Sequence, residues 1–162
     1  MRAYNRIELE KVARETGFIR DNLEKVIRLS NILEFLVSDD NLKGKVVLKG
    51  GTAINLTVFD MPRLSVDIDL DYCCNSDKDT MMADRAVIGQ EILGHMQSNG
   101  YTLHPSSKNT HALDSWVFSY LNSGGNRDNI KIEINYMMRA HILEPLTRKT
   151  SVPFIEEIDV YA

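Results

Sequence analysis

Apolar and polar residues recur along this chain with two different periods, and the changes of period mark its elements. From Asp21 to Val37 the apolar residues Leu23, Val26, Ile27, Leu29, Ile32, Leu33, Leu36 and Val37 return at helical spacing. That spacing lays one apolar stripe along a helix. Asp21 and Asn22 offer N-caps, and Asp39, Asp40 and Asn41 break the pattern. An earlier short helix is expected at about Glu8 to Glu15, closed by Gly17. A further long helix is expected over 79–99, with Met82, Val87, Ile88, Ile92, Leu93 and Met96 buried and Gly100 at its end.

The strands have the other period. Lys45-Val46-Val47-Leu48-Lys49 is a short run rich in β-branched residues that stops at Gly50-Gly51, as a strand ending in a glycine turn would. Thr52 to Phe59 reads as a short helix, and Met61-Pro62-Arg63 as a loop. Val66-Asp67-Ile68-Asp69-Leu70-Asp71-Tyr72 alternates strictly, which predicts a strand with its aspartates on one face. Tyr101 to His104 is a weaker strand. Trp116–Leu121 and Ile130–Tyr136 are stronger ones, joined by the turn residues Asn122-Ser123-Gly124-Gly125-Asn126. In the second of these, Ile130, Ile132, Ile134 and Tyr136 share one face, and Lys131, Glu133 and Asn135 the other. Residues 139–162 show no clear period; Pro145 and Pro153 punctuate them, and Phe154, Ile155, Ile158 and Val160 are the last apolar positions. Helices and strands together predict an α/β or α+β chain.

Composition narrows the class. The 162 residues are 43% hydrophobic and 26% charged, which is globular rather than disordered. A chain of this length buries roughly 68–70% of the surface its unfolded form exposes, enough for one core. The net charge of −4 excludes a general nucleic-acid coat and leaves room for a local basic patch such as Arg139, His141, Arg148 and Lys149. Cys73 and Cys74 are adjacent, which fits neither a disulfide framework nor a zinc motif, so two reduced thiols are expected. The opening MRAYNRIELEKVARE is charged, without the apolar stretch of a secretory signal, and no apolar run approaches the roughly 20 residues of a membrane helix. A cytoplasmic protein is expected.

Three features then follow in order. They are a strand ending in Gly50-Gly51-Thr52, a strand carrying Asp67 and Asp69, and a later strand carrying Glu133. Glycines let backbone N–H groups approach phosphate oxygens, and a helix starting at Thr52 would add a dipole favourable to anions. Carboxylates two apart on a strand project the same way and suit Mg²⁺, which takes a few carboxylates plus substrate phosphates. Two such ions can clamp an in-line displacement at phosphorus, and a third carboxylate from a neighbouring strand would complete the clamp. No P-loop or dinucleotide fingerprint is present, and His95, His104, His111 and His141 lack metal-ligand spacing.

Lys49-Gly50-Gly51-Thr52-Ala53-Ile54 and Arg63-Leu64-Ser65-Val66-Asp67-Ile68-Asp69-Leu70-Asp71 resemble the AbiEii/AbiGii toxin family, within the DNA polymerase β-like nucleotidyltransferases. The glycine pair and Thr52, the D-x-D of Asp67 and Asp69, and Glu133 in Ile132-Glu133-Ile134 match that superfamily's motif, and Arg63 and Ser65 match the toxins' lead-in. The resemblance covers roughly residues 45–137. It implies a small mixed sheet flanked by helices, with extra N-terminal helices over 1–44 packed on a core of 45–162. It also implies a helical C-terminal half in family members, which this chain is expected to lack. Asp67, Asp69 and Glu133 would be catalytic and would hold Mg²⁺ or Mn²⁺; Gly50, Gly51, Thr52, Arg63, Ser65 and Lys49 would contact a nucleoside triphosphate. The implied role is the toxin of a toxin–antitoxin or phage-defence pair. It would transfer a nucleoside monophosphate to an acceptor such as a tRNA 3′ end, with a cognate antitoxin as partner. Nucleotidylation of a protein or small molecule is the alternative, as is a truncated relative that binds nucleotide or antitoxin without turnover.

Overall fold

The computed structural model describes residues 5–51, 67–137, 145–150 and 159–161. Two helices open the chain, α1 (Arg6–Thr16) and α2 (Arg20–Ser38). Asn5 caps α1 by accepting from the Ile7 N–H, and Gly17 closes it with φ 75°. The stripe on α2 is buried as its spacing predicts, through Leu23, Val26, Leu29, Ile32, Leu33 and Leu36. Neither Asp21 nor Asn22 caps it. The N-cap is Ile19, with no side-chain hydrogen bond. Asp21 instead binds the neighbouring guanidinium of Arg20 from within the first turn.

Strands β1 (Val46–Lys49) and β2 (Asp67–Tyr72) follow, then the long helix α3 (Lys78–Ser98). Asp77 caps α3 by accepting from Thr80. Its buried positions are Met81, Ile88, Ile92 and Met96, with Leu93 half-buried against the core. The expectation for Met82 and Val87 fails, because both are exposed. The methionine that faces the core is Met81, one position earlier. Beyond α3 come β3 (Thr102–Leu103), β4 (Lys108–Asn109), β5 (Leu113–Leu121) and β6 (Arg127–Asn135). Strand β5 starts three residues before the Trp116 expected from the pattern, and the 122–126 turn joins it to β6 as predicted. A separate hairpin of β7 (Thr147–Lys149) and β8 (Asp159–Tyr161) had no signal in the sequence. It brings Val160 into the core cluster.

The main sheet has the order β1-β2-β6-β5-β3, with β4 also on β5. It is mixed, as expected. β2 runs parallel to β6, and β1–β2 and β5–β6 are antiparallel. One face is apolar and lies under α2 and α3. Ile68, Leu70 and Tyr72 of β2, Ile130, Ile132 and Ile134 of β6, and Trp116, Phe118 and Tyr120 of β5 join the helices in one cluster. Gly89 of α3 faces Trp116, and a Cβ there would meet the ring in ordinary van der Waals contact at 3.6 Å.

Polar ties hold the helices to that face. Glu24 is fully buried; it accepts from Arg28 at 2.7 Å and from the Ser123 backbone of the β5–β6 turn at 2.7 Å. Arg28 lies 4.1 Å over the Tyr120 ring and donates to the Tyr101 hydroxyl. From α3, Arg85 grips Asp114 at the start of β5 and the carbonyls of Thr110 and His111. Cys73 and Cys74 are free thiols, as expected.

Candidate active site

The opposite face of the sheet collects the charge. Because side chains alternate along a strand, burying Ile68 and Leu70 turns Asp67, Asp69 and Asp71 the other way. The same alternation turns Lys131, Glu133 and Asn135 outward from β6. Pairing then sets neighbours. Lys49 lies opposite Asp69 across β1–β2, Asp69 opposite Glu133 across β2–β6, and Glu133 opposite Ser115 across β6–β5. Four strands thus contribute one polar row, Lys49–Asp69–Glu133–Ser115. One position along, Asp67 pairs with Lys131.

The glycine turn closes on this row. Gly50 follows β1 with φ 72°, and a Cβ built on it would lie 2.8 Å from Asp69 Oδ2. Both the left-handed backbone and the close approach require glycine there. The turn and the carboxylate, 19 residues apart in numbering, are therefore in contact. Thr52, Arg63 and Ser65 lie outside the described residues, as does the helix expected from Thr52.

The electrostatics follow from the crowding. Burial first, then the charges of Glu133 and Asp67, push the Asp69 carboxyl above the ordinary carboxylate range; Lys131 and Lys49 offset this in part. Burial acts on Glu133 in the same direction. There, hydrogen bonds from Lys131 and from the Ser115 hydroxyl, with the charges of Lys131 and Lys49, outweigh it and leave the carboxyl below its usual value. Lys131 Nζ stands 2.9 Å from Glu133 Oε2. Lys49 Nζ pairs with Asp71 rather than with the aspartate opposite it, which gives Asp71 a structural partner. Ser115 and Lys131 are members of the site that the motif does not name. The signal for Lys131 was its place on the Glu133 face. Ser115 falls just before the alternation of β5 becomes clear.

His141 lies outside the described residues, and His95 and His104 have partners of their own. His95 stacks on Phe35 at 3.7 Å, and burial lowers its pKa. His104 bonds Ser106. Among the described residues, no group of three or more acidic, histidine or cysteine side chains is placed to hold a metal ion. The donor set on the row is hard oxygen, and one carboxyl is already destabilised as an anion by burial and by its neighbours. That fits Mg²⁺ or Mn²⁺, which take one or two carboxylates and fill their shell with phosphate and water.

A family model described as nucleotidyl transferase AbiEii toxin, type IV TA system, matches residues 32–162. The chain belongs to this family. The match takes in the last two turns of α2, the whole main sheet and the β7–β8 hairpin, wider than the roughly 45–137 over which the motifs carry the resemblance. Its members are nucleotidyl transferases acting as toxins of type IV toxin–antitoxin systems. No curated protein gives a significant match to the chain. No helix among the described residues is long and apolar enough to cross a membrane.

Proposed function

We propose that this toxin transfers a nucleoside monophosphate from an NTP·Mg²⁺ complex (Mn²⁺ serving equally) to an acceptor hydroxyl, with release of pyrophosphate. The acceptor class we favour is the 3′ end of a tRNA in the cytoplasm, held in check by a cognate antitoxin. The observation that carries the reading is the register of the sheet. Asp69 and Glu133 are paired across β2–β6, and the Gly50 turn abuts Asp69. A phosphate held by the turn would sit beside carboxylates suited to a metal.

Each residue then has a task. Asp67 and Asp69 hold the divalent ion against the triphosphate. Glu133 lies on the far side of Asp69 from the glycine turn; it would hold a second ion and help activate the acceptor hydroxyl. Gly50, Gly51 and Thr52 offer backbone N–H groups to phosphate oxygens, and Arg63, Ser65 and Lys49 add donors around them. The ion, when bound, neutralises phosphate charge and lowers the barrier for the attacking oxygen. The protein contributes position and charge rather than covalent chemistry.

The first test is a thermal-shift titration with each NTP and Mg²⁺, on the wild type and on Asp67→Asn/Asp69→Asn. A ligand at 100 times its Kd stabilises by about 2.7 kcal/mol. A shift that needs both Mg²⁺ and the aspartates is expected; a shift that survives their loss would remove them from the site. Labelled NTP incubated with total tRNA and with protein extract then separates RNA from protein acceptors.

A further inference from the structure

Residue 131 is a lysine between two isoleucines of β6, so the alternation that buries Ile130 and Ile132 puts it on the Glu133 face. It pairs in register with Asp67, and its ammonium lies 2.9 Å from Glu133 Oε2. Among the described residues this face carries Asp67, Asp69, Asp71, Glu133, Lys49 and Lys131 close together, with Lys108 and Arg127 further along it. Lys49 is committed to Asp71, which the motif does not use. Lys131 is committed to Glu133, which it does. The Lys131 side chain is 37% exposed, so its flexible stem can withdraw into water at small cost.

We propose that Lys131 is the built-in counter-ion of this carboxylate row, occupying Glu133 in the nucleotide-free toxin and ceding it when metal and triphosphate arrive together. The inference rests on the reading of the row as a metal and nucleotide site. With no nucleotide present, a cation must displace the ammonium and leave it beside a second positive charge. With triphosphate present, the displaced ammonium gains an anion of its own. Lys131 thereby makes metal binding depend on nucleotide, which keeps the empty toxin from holding a tight cation in the wrong place.

The test is Mn²⁺ binding to the full chain, read from the electron paramagnetic resonance signal of free Mn²⁺, with and without inorganic triphosphate. The wild type should bind Mn²⁺ weakly alone and more tightly with triphosphate. Lys131→Met should bind Mn²⁺ alone at least about fivefold more tightly, as expected for removing a partly screened ion pair, and should lose most of the gain from triphosphate. Lys131→Arg keeps the charge and should stay near wild type. Lys25→Met removes the same charge on the helix side, where Lys25 pairs with Asp128, and should leave Mn²⁺ affinity unchanged. Equal or weaker Mn²⁺ binding by Lys131→Met would overturn the proposal, as would an equal gain in Lys25→Met. Asp69→Asn separates the two levels of the argument. If it binds Mn²⁺ like the wild type, the site reading and the proposal both fall. If it loses Mn²⁺ while Lys131→Met is unaltered, only the role of Lys131 falls.

Discussion

The two faces of one sheet differ more than any two elements of this protein. Ile132 and Glu133 are adjacent in sequence on β6, yet Ile132 is wholly buried under the helices while Glu133 shares the opposite face with Asp67, Asp69, Asp71, Lys49, Lys108 and Lys131. On the helix side even the charges are structural. Glu24 and Arg28 are paired, hydrogen-bonded and shielded from water. On the other side burial, and after it the neighbouring charges of Glu133 and Asp67, hold the Asp69 carboxyl above its ordinary range. Stability is built on one face, and the opposite face holds charges in an arrangement that folding alone disfavours.

The largest effect of breaking this division should come from the buried ion pair. Arg28→Ala leaves Glu24 charged and unpaired in the core and should cost about 3–5 kcal/mol of stability in urea unfolding. Ile132→Ala, on the apolar face of the site-bearing strand, should cost about 2–5 kcal/mol, with the loss read as a lower urea midpoint. Gly50→Ala addresses the contact between the turn and Asp69. Its Cβ would meet Asp69 Oδ2 in a strained backbone, so nucleotide transfer should fall about a hundredfold through misplacement. Full activity in Gly50→Ala would show that the turn does not set the carboxylate.

Asp69→Asn should do the reverse of the core variants. It should abolish cation-dependent nucleotide binding while raising Tm by no more than about 2–4 °C, since it relieves repulsion worth about 1 kcal/mol or less. The smallest effect is in its pH dependence. A raised carboxyl pKa in the folded state lends stability below the unfolded pKa and loses it as pH rises through the folded value. The Tm difference between Asp69→Asn and wild type should therefore be near zero in acid and open as pH rises through the carboxylate range. Glu133, Asp84 and Asp128 act with the opposite sign, because their partners hold them below their usual values and their contribution fades as pH falls. A difference that is flat across pH would mean that neither burial nor its neighbours raise the Asp69 carboxyl in solution.

Much of the fold was legible because periodicity reports burial directly. The stripe of α2, the alternation of β2 and β6, and the hairpin turn between β5 and β6 could all be read from residue types. Errors fell where the pattern is degenerate. Met81 and Met82 are identical neighbours, and period alone does not say which one faces the core. Asp21 and Asn22 have the chemistry of caps, but α2 begins at Arg20, so a cap requires a backbone position that composition does not report. The β7–β8 hairpin is short, and all of β7 is exposed, so it leaves no periodic trace.

The motif residues could be named from the chain, because glycine, aspartate and glutamate carry their chemistry in their side chains, or in the lack of one. Their placement on a single polar face also follows from alternation. That Asp69 should oppose Glu133, that Gly50 should touch Asp69, and that Lys131 and Ser115 should flank Glu133 required the parallel pairing of β2 with β6. This pairing joins strands separated by α3 and three other strands. Contacts between distant segments are set by which apolar faces pack together and in what register. That is a collective property of the folded core, which no local run of residues carries.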